Sequence, residues 1–356
     1  MAQTSLRREQ PDLHQTDVMA LSDPRWLAFV QSQADATVFH HPTWANMLAE
    51  TYGYRPLVLT QSSMDGLIVA GIPLLEIRSR LTGRRFISLP FTDYCPPLAQ
   101  DPESLSLLSA GLMAWRVSVG DPLIEVRGEL PLTSSVHVMA AGVRHVLLLE
   151  GDCDGVLRRF NRSQVQRGIR RAQRDEVHVR IATSCAELML FYDLHLRTRR
   201  RLGVPVQPRR FFEAMWSQLI DADFGFVSLA YKDSHLIAGA VFLAWNGTVI
   251  YKYGASDARY WRFRPNHLIM WMAIQWGCAN GYRQFDFGRS DFDDQGLRDF
   301  KNGWGTTEAP LIYSYLADKP PGRVSDAKKR FLVKVIQHSP AIVCRGIGEL
   351  LYGHFG

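Results

Sequence analysis

The chain has 356 residues, of which 46% are hydrophobic and 21% charged, and its formal net charge is +6. That length exceeds one hydrophobic core and the mixture is ordinary globular material, enough for two cores, so two domains are expected. The mild positive charge suits an anionic partner or plain solubility, while five scattered cysteines without a paired motif exclude a disulfide framework or zinc finger and fit a reducing compartment.

The N-terminus, MAQTSLRREQPDLHQTD, has no apolar signal core, and no stretch reaches the roughly 20 apolar residues that cross a bilayer. A cytoplasmic protein is expected, with membrane contact only at the inner surface. Residues 1–20 read as a flexible arm. Asp23-Pro24 opens a helix carrying Trp26, Leu27, Phe29 and Val30; Pro42 opens another, with Trp44, Met47, Leu48 and Tyr52 at helical spacing. His40-His41 before that proline reads as part of the helix start rather than a ligand pair. Strands follow as PLVLT, GLIVAGIPLLEIRS and, after a turn at Thr82-Gly83, RRFISLPF. A helix over 101–119, the strand LIEVRGEL and then RHVLLLEGDCDG, a strand with an acidic turn, lead to a boundary near residue 150.

The order then repeats. A helix over 156–174, a strand VHVRIA, a helix over 185–201, a loop with Pro205 and Pro208 and a helix FFEAMWSQLI precede the strands FGFVSLAYK and HLIAGAVFLAW. Residues 249–305 give a strand VIYKYGASD, an arginine-bearing turn ARYWRFRPNH, and an apolar helix that starts at Pro265 and closes at Asn280-Gly281. A strand RQFDFGRSD and the segment QGLRDFKNGWG end the stretch. The expected units are 21–150, 151–316 and a linker with basic tail over 317–356. That tail carries Phe331, Val335, Ile342, Ile347, Leu350 and Leu351 beside Lys328, Lys329, Arg330, Lys334 and Arg345. Packing onto the domain is its expected use and peripheral membrane contact the alternative.

Pro265 suits a first helical turn, whose free N–H groups face the preceding turn and, with Arg262 and Arg264, would welcome an anion. On a continuous helix over 156–174, Leu157, Val165, Ile169 and Ala172 share one side, and Arg159, Arg167, Arg170, Arg171 and Arg174 share the other. A solvated face usually mixes signs to gain i,i+4 pairs, so anion binding stands against plain solvation there. Asp286-Phe287-Gly288 spells a kinase triplet, but no phosphate loop or His-Arg-Asp accompanies it, and the match is coincidental. Asp286 instead suits a buried partner for Arg289 or a backbone amide. Arg289, Ser290 and Asp291 stand at a strand's C-terminal end, where α/β proteins hold ligands. No nucleophile motif and no metal-spaced histidines occur. Direct attack of an amine on an activated acyl group needs neither.

The segments YKYGASD, RPNHLIMWMAIQWGCANGY, FDFGRSD and GLRDFKNGWG, with FNRSQVQRGIRRAQRDEVHVR and, more loosely, HHPTWANMLAETYGY and GRRFISLPFTDYCPPL upstream, resemble the Fem-type aminoacyltransferases. These are peptidoglycan interpeptide bridge enzymes within the N-acetyltransferase (GNAT) superfamily. The resemblance implies an α/β (α+β) chain of two tandem acetyltransferase-like domains, with mixed, mostly antiparallel sheets flanked by helices. It also implies a catalytic Lys301 in the Phe300-Lys301 pair, whose cation would stabilise the charge of acyl transfer. Asp291, Tyr253 or a substrate phosphate are the alternatives for taking the proton. Arg262, Arg264, His267, Arg289, Phe300 and Trp304 are the expected substrate-binding residues, with Arg167, Arg170 and Arg171 on the arginine stripe. No metal or resident cofactor is implied; the donor is aminoacyl-tRNA or acyl-CoA, and the acceptor an amine of a cell-envelope precursor of peptidoglycan type. ARYWRFRPNH departs from the superfamily's glycine-rich pyrophosphate turn, which counts against ordinary acetyl-CoA. An acyl-CoA enzyme acting on exopolysaccharide or another envelope component, and a non-enzymatic RNA- or lipid-binding adaptor, are the rival readings.

Overall fold

The computed structural model describes residues 16–79, 83–320, 322 and 333–354. Most of the predicted arm, Thr82 of the predicted turn, and Lys328, Lys329, Arg330 and Phe331 of the tail lie outside the described residues, as do the side chains of Ile342 and Leu350.

The first segment, β1 (Thr16–Met19), pairs antiparallel with β2 (Arg55–Ser62), so the end of the expected arm is sheet. Thr16 Oγ1 donates to Gln61 Oε1 at 2.9 Å. Helices α1 (Pro24–Ser32) and α2 (Pro42–Tyr52) each start on a proline, whose missing N–H would be unpaired there anyway. The Asp23 and His41 side chains cap them by accepting the N–H groups of Arg25 and Thr43. Then come β3 (Ile68–Ser79), β4 (Gly83–Ile87), β5 (Leu98–Ala99), α3 (Pro102–Ser118), β6 (Leu123–Val126) and β7 (Val136–Leu148).

Beyond β7 the chain forms α4 (Cys153–Arg159), a π-turn over Arg162–Gln166, α5 (Arg167–Arg174), β8 (His178–Ile181), α6 (Cys185–Leu202) and α7 (Arg209–Met215). It continues with β9 (Gly225–Lys232), β10 (His235–Trp245), β11 (Thr248–Ser256), a 3-10 turn over Ala258–Phe263 and α8 (Pro265–Ala279). β12 (Gln284–Ser290), α9 (Gln295–Asn302), β13 (Thr307–Leu316) and α10 (Ala341–Tyr352) close it.

One sheet runs in the order β1-β2-β3-β4-β6-β13-β7-β12-β11-β10-β9-β8, with β5 beside β3. Its pairs are antiparallel except two. β4 runs parallel to β6 across the α3 crossover, and β11 runs parallel to β12 across α8. These crossovers occupy corresponding places in the halves, so the duplicated architecture is visible in the topology. The strand that follows each crossover unit is exchanged. β7 follows β6 in sequence but joins β12, whereas β13 follows β12 and joins β6. The two also pair with each other along Thr307–Leu316.

Apolar clusters explain the layers. One spans both halves on a single face, bringing Trp26, Trp44, Met47 and Leu48 together with Phe191, Phe211, Phe212 and Leu219. On the opposite face α3 covers one cluster with Leu108 and Leu112, and α8 with α5 covers another with Ile169, Leu268 and Trp271. The tail joins the shared core: Ile336 and Cys344 are buried in it, and Tyr54 Oη donates to the Tyr352 carbonyl at 2.6 Å. Packing is what the described part of the tail does.

Two expected elements break where side chains offer the backbone another partner. The helix over 156–174 is interrupted at Phe160, whose ring drops into the core against Trp271 and Trp304. Asn161 then caps a new start by accepting the N–H groups of Ser163 and Gln164. Arg159 leaves the stripe and donates to the Leu148 carbonyl; Arg162 joins it instead. The strand RRFISLPF stops at Ile87, because Leu89 and Phe91 adopt left-handed φ values of 66° and 60° on either side of Pro90. Such conformations cost non-glycine residues about 1–3 kcal/mol each and persist only where surroundings hold them.

Candidate active site

The site forms where the sheet opens. β11 and β12 pair only over Thr248–Ile250 with Gln284–Asp286, yet β11 continues to Ser256 and β12 to Ser290. The strands diverge, and α8 starts above the gap. A channel of about 740 Å³ lies there, lined by Tyr251, Gly254, Phe287, Arg264, His267 and Lys301 among others. The expected turn ARYWRFRPNH is largely a 3-10 turn, capped by Asp257 and ended by Arg264 at φ 56°. No side chain caps α8, so its first N–H groups face the channel mouth beside the Arg264 guanidinium.

Lys301 closes the channel from α9. It is 3% exposed, and its Nζ donates to the Gly288 carbonyl at 2.9 Å and the Arg289 carbonyl at 2.7 Å. An ammonium has three N–H donors, so one remains for a substrate oxygen. Burial pulls this lysine from its usual range down to about 8, with Asp93 first among the carboxylates that draw it back up. Near neutral pH it is still a cation. Phe300 and His267 line the same channel. Burial, then the nearby Arg264 charge, pulls His267 down to about 4, so it is neutral there. Its ring rests on Gly168 of α5. A Cβ at Gly168 would come within 2.5 Å of His267 Cδ2, and only glycine allows that approach.

Other expected site residues lie elsewhere. Trp304 is fully buried behind the channel, packed against Phe160 and Phe287, and supports His267 and Phe300 rather than meeting solvent. Arg262 is exposed and turned over the Phe263 ring at 4.7 Å, away from the channel lining. Asp291 is 71% exposed and paired with Arg289 Nη2 at 2.7 Å. Tyr253 sits in the other core, where Gln207 Nε2 donates to its hydroxyl at 3.2 Å and burial pushes its pKa well up. Its neighbour Tyr251 faces the channel instead. Asp286 pairs with Arg144 at 2.8 Å and accepts the Gly288 N–H at 2.8 Å, so its cation is Arg144 and not Arg289. Arg167, Arg170 and Arg171 form a separate exposed patch on α5.

The residue that the sequence did not single out is Asp93. Its loop is pinned from several sides: Ser88 Oγ donates to the Cys95 carbonyl at 3.0 Å, Tyr313 Oη to the Asp93 carbonyl at 2.7 Å, and Lys252 Nζ to the Phe91 carbonyl. The Asp93 carboxylate reaches Gly288, whose own carbonyl holds Lys301; a Cβ at Gly288 would lie 3.2 Å from Asp93 Oδ2. Gly288 has φ 71°. The Asp93 charge acts on Lys252, Lys301, Arg127 and Arg289, yet no hydrogen bond or ion pair from its carboxylate is formed among the described residues. The carboxylate stands among these cations beside Gly288, and Asp93 is not itself among the residues that line the channel. The left-handed pair Leu89 and Phe91 is the structural mark of this loop.

Residues 159–302, spanning this channel, match the family model described as an acetyltransferase (GNAT) domain. This part of the chain is an acyltransferase domain. Among solved structures, the chain is similar in fold to FemX, with a TM-score of 0.66 and 15% identity over 85% of this chain and 98% of that one. A tandem GNAT protein from the clavulanic acid biosynthesis pathway aligns at TM-score 0.55 and 11% identity, over 86% of this chain and 100% of that one. The C-terminal domain of a putative lysylphosphatidylglycerol synthetase from Agrobacterium fabrum aligns at 0.52 and 13%, over 87% and 94%. No curated protein matches the sequence. The fold is thus the tandem acetyltransferase arrangement, with a large, mostly antiparallel sheet between helices. No group of side chains suited to a metal ion occurs among the described residues, and no helix among them is long and apolar enough to cross a membrane.

Proposed function

We propose that this acyltransferase moves an acyl or aminoacyl group from an activated ester or thioester to an amine of a cell-envelope precursor of peptidoglycan type. The observation that carries the reading is Lys301, a buried cation at the end of a channel between diverging strands, with two N–H groups fixed on backbone carbonyls. The donor's acyl chain lies along the apolar walls, near Phe287 and Phe300, and its anionic portion meets Arg264 and the start of α8. The acceptor amine attacks the carbonyl carbon, and the oxygen becomes an oxyanion. Lys301 was in place before that charge developed, so it stabilises the transition state more than the ground state. Asp93 accepts the proton that the nitrogen loses as the amide forms. The acyl–oxygen or acyl–sulfur bond then breaks, and the leaving alkoxide or thiolate takes up the proton that Asp93 accepted and departs as the alcohol or thiol on the donor's carrier. The envelope acceptor rests on likeness in fold to FemX.

A second reading keeps the chemistry and takes acyl-CoA as donor, with a polysaccharide amine as acceptor; the acetyltransferase family match favours it. Incubating the protein with aminoacyl-tRNA or acyl-CoA, and with a peptidoglycan precursor bearing a free amine, separates the two by mass spectrometry. The expected product is the precursor heavier by one aminoacyl residue. Acylation from acyl-CoA alone supports the second reading, and no transfer to any amine from either donor overturns both.

A further inference from the structure

We propose that Glu308 is the positioning residue that sets Lys301 in place, acting through Arg298 and Asn302 of α9; the inference rests on the transfer reading above. Apolar packing anchors α9 poorly. Of its eight residues Lys301 alone is buried, with Phe300 half-buried beside it. A free helix of that length is marginal in water, so contacts outside it decide where it lies. Asp294 caps its start by accepting the Leu297 N–H at 3.0 Å, and Gln295 donates to Asp299 at 2.7 Å, but both ties stay within the segment. Apart from those of Lys301, the side-chain bonds from α9 to the sheet go, among the described residues, to Glu308 of β13 and to its neighbour His145 of β7. Arg298 Nη2 donates to Glu308 Oε1 at 2.7 Å and its Nε to Oε2 at 3.3 Å, while Asn302 Nδ2 donates to Oε2 at 3.4 Å.

The arrangement suits positioning. Arg298 and Asn302 are four residues apart and share one helix face, with Lys301 in the turn between them. Two parallel bonds between arginine and carboxylate fix an angle as well as a distance. The Arg298 guanidinium holds the Glu308 carboxyl below its usual range, so Glu308 is an anion at neutral pH. It lies opposite His145 in the β7–β13 ladder, at the middle of the sheet, where the backbone is fixed on both sides. His145 is fully buried, its Nδ1 donates to Asn302 Oδ1 at 3.1 Å, and burial followed by the Lys301 charge keeps it neutral. The carboxylates whose charge acts most on Lys301 are others: Asp93 of the loop before β5, Asp286 of β12, and Asp294 and Asp291 ahead of α9. Around the lysine, Arg289 is paired with Asp291, Arg144 with Asp286 and Arg298 with Glu308, and His267 is neutral like His145. Glu308 therefore acts on Lys301 by placing its helix and not by its charge.

The test is kcat and the pH dependence of kcat/KM for Glu308→Gln alone, combined with Arg298→Gln, and placed in the Lys301→Met chain. Loss of the Glu308 contact lets the lysine turn toward water, and relief from burial raises its folded-state pKa. The expected kcat of Glu308→Gln is lower by about 10–100-fold, the cost of misplacing a catalytic group by up to about 1 Å. The falling limb of the profile should move up from about 8 by about one pH unit. Arg298→Gln and the double variant lose the same contact and should show the same loss, and in Lys301→Met the added Glu308→Gln should cost less than twofold. Glu308 is 24% exposed and glutamine nearly isosteric, so the variant should unfold near the wild-type temperature; if it does not fold, Arg298→Gln carries both readouts. A kcat within twofold of wild type would overturn the proposal. So would a lowered kcat with the limb unmoved, which marks a merely structural role, or a limb moved down, which marks a direct effect of charge. Full activity in Lys301→Met would remove the transfer reading itself, whereas an impaired Lys301→Met beside an unaffected Glu308→Gln removes the positioning alone.

Discussion

Lys301→Ala is expected to lower kcat by about 10²–10³-fold, the usual effect of removing one preorganised donor to an oxyanion. The size of the effect comes from burial. At 3% exposure the ammonium is screened little by water, and its anchors on Gly288 and Arg289 hold it still while charge develops. The same anchors make this lysine part of the structure. Its loss leaves two carbonyls without their donor, at about 1–3 kcal/mol each, so the unfolding temperature must be measured beside the rate. Lys301→Met keeps most of the stem and serves as the second variant. A folded Lys301→Met protein with activity within threefold of wild type would remove Lys301 from the mechanism.

Asp93→Asn is expected to lower kcat by about 10²-fold or more, within the range for a positioned general base, and to draw the Lys301 titration further down, since Asp93 is first among the carboxylates that raise it. The change is nearly isosteric, and the carboxylate has no protein partner to lose among the described residues. Asp291→Asn is the control. That carboxylate is 71% exposed and tied to Arg289, so its removal should change kcat less than threefold. The reverse pattern, with Asp291 essential and Asp93 dispensable, would place the proton acceptor on the solvent side of β12 and contradict the loop's assigned role.

The fold was legible because its signals are local. Prolines in first helical turns, apolar periodicity and the repeated order of elements mark α1, α2, α3 and α8 in the sequence itself. Strand exchange was not legible, since nothing in β7 or β13 states which neighbour each will choose. Of the site, Arg264, His267, Phe300 and Lys301 do meet in one channel. Tyr253 lies in the other core for a definable reason. In a regular strand Tyr251 and Tyr253 would share a face, but the register with β10 slips between Val241 and Phe242 and leaves Lys252 as an extra residue. The bulge sends the two tyrosines to opposite cores. Asp93 was hidden because its loop reads as strand in RRFISLPF, and because its position against Gly288 depends on contacts between residues about 200 positions apart.

The central claim, a buried lysine acting as a cation, has a direct test in the pH dependence of kcat/KM, which reports the free enzyme's groups. The folded-state value for Lys301 is lowered to about 8, so the cation is present below that pH and lost as pH rises through it. The account therefore predicts a single falling limb near pH 8 in the wild-type chain. It also predicts that Lys301→Arg, a cation at every accessible pH, shifts that limb well upward even if its rate is reduced. A rising limb near pH 8 that persists in Lys301→Arg belongs to the acceptor amine, which attacks only when neutral; a falling limb unchanged in Lys301→Arg would belong to another group and contradicts the account.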